Sequence, residues 1–239
     1  MWVNPQFWSH YFETIFAKQI ATLCDSIVNR VLPTFANIEE EAKKFAEQEY
    51  ERLGSLPALG DYVDMGDIAE SARDAGIDYY QLMSGVRQGL INIATAGLYH
   101  LFEQQLLFFH RRQVLHPSEE NDIRWLKIKE LKTRLAGGGV DIVKLPSWPK
   151  TDELRLVANT VKHGEGESAE QLRKIRQDFF VHPFLREHSL FAKSPRHPIY
   201  MPMSGEDIFV EINDFQAYKN AVLSFWEEFS ELILAKGTK

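Results

Sequence analysis

Between Asp78 and Arg112 the chain has no proline, and its large apolar residues Met83, Val86, Leu90, Ile93, Leu101, Phe102 and Phe109 recur at helical spacing, with Gly97 among them. A helix this long and this apolar has to be the central strut of a helical core, because no single sheet face would use such a stripe. The flanking segments repeat the pattern. Pro5 opens a run with Phe12, Ile15, Phe16, Ile20, Leu23, Ile27 and Val31 three or four apart, and Pro33 ends it. A second helix is expected from about Thr34 to Leu53 through the acidic Glu39–Glu41, followed by a loop over Gly54–Gly60 that contains Pro57.

Beyond the strut, His116-Pro117-Ser118-Glu119 marks a break and a new N-cap. A helix is expected through Trp125, Ile128 and Leu131 to Leu135, closed by the flexible joint Gly137–Gly139. Thr151 is placed to cap the next helix, which carries Asp152 and Glu153 at its positive end and stops at Gly164. Ser168 and Gln171 have capping-box spacing for another, through Leu172 and Ile175. Prolines 183, 195, 198 and 202 forbid a long helix from Phe180 to Met203. The apolar runs Ile199–Met201 and Ile208–Ile212, separated by Ser204-Gly205-Glu206-Asp207, predict a small antiparallel β-hairpin before a last helix capped by Asp214. The reading is a mainly α helical bundle, one domain over residues 1–239, with a Pro-rich and β-hairpin insertion at about 180–212.

With 44% hydrophobic and 26% charged residues the composition is that of a folded globular chain. The single cysteine, Cys24, excludes an internal disulfide framework, suits a cytoplasmic setting and is expected to be a small buried hydrophobe. Met1–Phe12 lack the basic and apolar regions of a signal peptide, and no apolar run is long enough to span a membrane. The net charge of -7 is unevenly spread: residues 124–200 hold 15 Lys and Arg against 9 Asp and Glu, while residues 1–123 hold 9 against 18. A basic middle inside an acidic protein is where a polyanion would dock, and it is equally where acidic helix faces could find partners.

That basic segment also carries the chemistry. In Leu154–Gly164, Leu154, Val157, Ala158 and Val161 share one arc of a helix, while Arg155, Asn159, Lys162 and His163 fall within about 100° of each other on another. An imidazole that titrates near neutrality can take the proton from a ribose 2′-hydroxyl, and a guanidinium can steady the charge building on phosphorus. His163 and Arg155 are the candidate catalytic pair, with Asn159 between them to orient the imidazole or bond phosphate. The same spacing also serves a solvated helix face. Lys162, Arg173, Lys174 and Arg176 are the candidate RNA-binding cations, and Glu103, beside Tyr99 and His100, is a candidate supporting carboxylate. Trp125, Trp148 and Phe179–Phe180 interleave with the basic residues and could stack on bases, although such aromatics are more often core. Histidines 182, 188 and 197 are too irregularly spaced for a metal site, Gly137–Gly139 lacks the Lys-Ser/Thr of a phosphate loop, and no metal or cofactor is expected.

The phrase Asn159-Thr160-Val161-Lys162-His163-Gly164 at the end of a helix, preceded by a long helix containing Leu98-Tyr99-His100-Leu101-Phe102-Glu103, resembles the HEPN superfamily of helical prokaryotic proteins. The resemblance covers roughly residues 5–175, and the last helix less closely. In that superfamily a late helix carries Arg-x(4-6)-His, usually with a polar residue directly after the arginine. Active members are metal-independent ribonucleases that pair two such helices in a dimer, many of them toxins or phage-defence effectors. Here Ala158 stands where the arginine is common, Arg155 gives Arg-x7-His, and Lys162 is a possible substitute cation. The resemblance thus implies an RNA-directed, homodimeric, metal-independent endoribonuclease of a toxin or defence module. The alternative is a non-catalytic helical interaction protein: a partner, scaffold or antitoxin-like subunit of such a system.

Overall fold

A computed structural model describes residues 4–56, 64–186 and 197–237. Helix α1 (Pro5–Tyr11) begins at Asn4, whose side-chain oxygen accepts from the Phe7 amide at 2.9 Å, and Pro5 sits where its missing N–H costs nothing. It runs through a π-helical turn, Phe12–Ala17, into α2 (Lys18–Ser26) and a second such turn, Ile27–Val31. Pro33 falls in a 3-10 turn, Leu32–Phe35, so α3 (Ile38–Gly54) starts later than Thr34.

The strut is longer than the stripe predicts. Helix α4 spans Met65–Phe109, about 68 Å at 1.5 Å per residue, and is capped by Asp64, which accepts from the Gly66 amide at 2.7 Å. Its first turns lean on α3 through alanines and Gly76, too small to register as an apolar stripe. Val86 and Ile93, placed on the stripe by spacing, are exposed; Ile91, Leu98, Phe102, Leu106 and Phe109 carry the core instead. Next come α5 (Ile128–Gly137), α6 (Trp148–His163), α7 (Glu167–Ile175), the single turn α8 (Pro183–Arg186) and α9 (Ile212–Gly237). The stretch from Ser118 to Trp125 is turns, so α5 begins only at Ile128. Aromatic contacts bind α9 to the N-terminal helices and α4: Phe12 to Trp226 at 4.7 Å, Phe102 to Phe225 at 4.9 Å, Phe109 to Phe229 at 5.3 Å between ring centres. Cys24 is buried there as expected. No helix among the described residues is long and apolar enough to cross a membrane.

The predicted β-hairpin is not formed; the described residues contain no strand. Part of the insertion, 187–196, together with Pro57–Gly60 of the predicted loop, lies outside the described residues. The two apolar runs find other partners. Asn92 of α4, fully buried, donates through Nδ2 to the carbonyls of Pro202 at 2.7 Å and Ile208 at 2.8 Å, and Gln88 donates to that of Val210 at 2.8 Å. The Phe209 amide donates to the Phe179 carbonyl, and the amides of Tyr200 and Met201 to Asp207 Oδ2. Side chains therefore do what a ladder would have done. The close approach needs glycine: a Cβ at Gly89 would overlap the Met203 carbonyl, and Gly205, at φ 87°, lies against the Gly85 carbonyl.

Candidate functional site

Helix α6 starts at Trp148-Pro149, one turn before Thr151, which instead bonds back to the Trp148 carbonyl at 2.9 Å. It ends at Gly164, whose φ of 70° no β-branched residue would accept and where a Cβ would stand 2.9 Å from the Ile199 carbonyl. Leu154, Val157 and Ala158 are 0% exposed and Val161 1%, so the apolar arc meets the core. Leu156 and Thr160 are buried too, because α4, α7 and α9 enclose the helix more widely than a single face. The polar strip that remains is narrow: Arg155 and Asn159 half-buried, Lys162 and His163 exposed.

Asn159 and His163 line a cleft of about 250 Å³ with Gly164, Gly166, Glu167 and Ser168. Neither side chain has a hydrogen-bond partner among the described residues, nor does Lys162. Glu167 is not singled out by sequence, and Ser168 only for its capping spacing; their signal is their place after Gly164 and Gly166, where a broken helix turns the next N-terminus back on the last. Arg155 does not line this cleft. Its Nε donates to Asp152 Oδ1 at 2.7 Å and its Nη2 to Oδ2 at 3.3 Å, leaving Nη1 free of that carboxylate. The bond to Asp152 holds the guanidinium above its ordinary pKa, against partial burial. Eight residues separate Arg155 from His163 by about 12 Å along the axis, and Arg155 leans toward Asp152, away from His163.

Across from Arg155 stands Tyr99 of α4, whose hydroxyl donates to Glu103 Oε1 at 3.3 Å, while His100 Nδ1 lies 3.3 Å from Oε2. Burial pushes the Tyr99 phenol up, the Glu103 charge adds to that, and Arg155 opposes it. Glu103 is thus held by Tyr99 and His100, and no bond joins it to Arg155 among the described residues.

Arg173 grips Glu165 with both Nη atoms at 2.6 Å, bonds the His197 carbonyl at 3.1 Å and covers Phe180. Arg176 bonds Glu153 at 2.9 Å, Asp178 at 2.7 Å and Asp214 at 2.8 Å, and stacks 3.7 Å over Phe179. Both guanidiniums pin α7 to its neighbours. Arg124, Arg134, Lys150 and Arg186 are likewise paired with carboxylates, so much of the basic middle is neutralised locally. Lys162 and Lys174 stay exposed. Trp148 takes the Lys132 ammonium over its ring, Trp125 the Arg134 guanidinium, and His182 packs on Phe209. His188 lies outside the described residues, among which no three His, Cys, Asp or Glu side chains converge as metal ligands would.

The chain matches no protein-family model, and comparison with curated proteins and with solved structures finds no similar protein.

Proposed function

We propose that the protein is an RNA-directed, HEPN-like endoribonuclease of the toxin or phage-defence kind, cutting without metal at the end of α6. The observation that carries this reading is the convergence of Asn159 and His163, two polar side chains without a hydrogen-bond partner among the described residues, on one cleft beside the exposed ammonium of Lys162. His163 takes the 2′-hydroxyl proton, the 2′-oxygen attacks phosphorus, the 5′-oxygen leaves, and a 2′,3′-cyclic phosphate end remains. Lys162 and Lys174 hold the strand. Because Arg155 lies about 12 Å along the helix from its own His163, the arginine that meets the reacting phosphate comes from a second copy, which makes the homodimer part of the mechanism.

Incubation of the purified protein with total RNA in excess chelator, beside His163→Ala, tests this. Cyclic-phosphate ends that disappear in the variant are the expected result. Cutting that survives His163→Ala, or that stops in chelator, overturns it. The pairing of Arg155 with Asp152, and of Arg173 and Arg176 with their carboxylates, favours a second reading: a non-catalytic helical partner, scaffold or antitoxin-like subunit, which would bind without cutting.

A further inference from the structure

Helix α3 and the first turns of α4 pack side by side, and the two sides of this pair are unlike. One side is closed: Phe45 and Tyr79 stack at 5.1 Å, and the Tyr79 hydroxyl donates to Glu41 at 3.3 Å. The other side is an open apolar groove of about 840 Å³. Its floor is Ala42, Ala46, Ala72 and Gly76, so small that a Cβ at Gly76 would stand 2.9 Å from that of Ala46. Its walls are the exposed rings of Tyr50 and Tyr80 and the side chain of Ile77, 47% exposed.

The groove has the dimensions of a helix. The lining residues run from Glu39 to Glu51 on α3 and from Ala69 to Gln81 on α4, recurring three and four apart, which is about 18 Å or three turns on each. Small residues along the floor let a third helix come within the 8–10 Å of ordinary helix packing, and large apolar side chains on that helix would fill the space between Tyr50 and Tyr80.

Charge selects the occupant. Glu39, Glu47 and Glu51 edge the groove along α3 with no salt bridge among the described residues, whereas its two cations are already held, Lys43 by Glu40 at 3.0 Å and Arg73 by Glu70 and Asp74. Together α3 and residues 65–81 of α4 hold ten carboxylates against four cations. A second copy would bring the same excess to the same edge, and RNA would be repelled outright.

We propose that the α3–α4 groove receives a cationic amphipathic helix of a partner protein, its apolar face on the alanine floor and its Lys and Arg along the α3 edge. This mode of docking is independent of the His163 cleft.

The test uses the full chain and three fluorescein-labelled synthetic peptides. The first is a helix of about four turns with leucines three and four apart and Lys and Arg on its flanks. The second carries Glu at those flanks, and the third is the first in scrambled order. The first alone binds saturably, and Ala69→Trp, which fills the groove, and Ile77→Ser, which removes a wall, each weaken it at least tenfold with unchanged melting temperatures. The triple variant E39K/E47K/E51K moves the preference to the second peptide. Equal binding of the scrambled peptide, no binding, or an unaltered preference in the triple variant overturns the proposal. So does sedimentation showing a dimer of this chain that Ile77→Ser dissolves. RNA cutting, if present, is untouched by these variants, so the two readings fail separately.

Discussion

Replacing Asn92 by aspartate changes one amide group into a carboxyl group of the same shape, and the structure gives it a large cost. The Asn92 side chain is 0% exposed and donates to two main-chain carbonyls, at 2.7 and 2.8 Å. An ionised carboxylate donates nothing and sets the oxygen that replaces Nδ2 against both carbonyls, while the other oxygen still accepts from Gln88 Nε2, as Oδ1 does at 3.0 Å. Two orphaned buried acceptors at about 1–3 kcal/mol each give a loss of about 2–6 kcal/mol. The new acid, fully buried with two carbonyls against it and one donor, Gln88, beside it, has its folded pKa raised above the ordinary carboxylate value. Its protonated form donates one of the two lost bonds. The damage is therefore least below about pH 4 and grows as the pH rises through the folded pKa. Urea unfolding followed by circular dichroism at pH 4 and pH 7 measures it, and proteolysis at neutral pH shows whether residues 199–210 come free. A loss under about 1 kcal/mol at pH 7, with that segment still protected, would mean that Asn92 does not hold the insertion to α4.

Arg176→Ala deprives Glu153, Asp178 and Asp214 of their shared guanidinium. A fully buried ion pair costs about 3–5 kcal/mol to break; this cluster is only partly buried and Glu153 keeps its bonds to Lys150 and Tyr218, so the loss is about 1–3 kcal/mol in urea unfolding. Burial holds the His110 imidazole below its ordinary pKa, although its bond to the Trp125 carbonyl opposes this; a base lowered in the fold contributes stability that is complete above about pH 6.5 and lost as the pH falls through the folded value. Melting temperature should drop from pH 7 to pH 5 in the native chain, and less in His110→Gln. Burial pushes the Cys24 thiol up to about 12, so a disulfide reagent should label it only in denaturant; prompt labelling of the native protein would contradict the packing of α2. If the arginine acts across a dimer, His163→Ala and Arg155→Ala, each inactive alone, regain about one quarter of native cutting when refolded together, since half the dimers are mixed and each holds one intact site.

The parts of the site that the sequence disclosed are those fixed by period alone. Leu154, Val157, Ala158 and Val161 had to turn inward together, which leaves Arg155, Asn159, Lys162 and His163 on the other side whatever the helix packs against. Charge pairing has no such rule. Arg173 reaches Glu165 within the basic segment and Arg176 reaches Asp214 outside it, 38 positions on, so which cations of residues 124–200 are neutralised and which stay open is set by the fold and not by the count of charges. The hairpin failed for a related reason. Alternating or continuous apolar residues say that Ile208, Phe209 and Val210 are buried, and they are, but not which groups take their main-chain bonds. Two features of α4 answered that: the polar pair Gln88 and Asn92, one turn apart, and the glycines Gly85 and Gly89 on the same face. In an apolar helix, amides beside glycines mark a place where foreign backbone is meant to lie. The same logic applies to the α3–α4 groove: its floor has small residues with no polar pair to anchor a backbone, which suits a helix that satisfies its own hydrogen bonds.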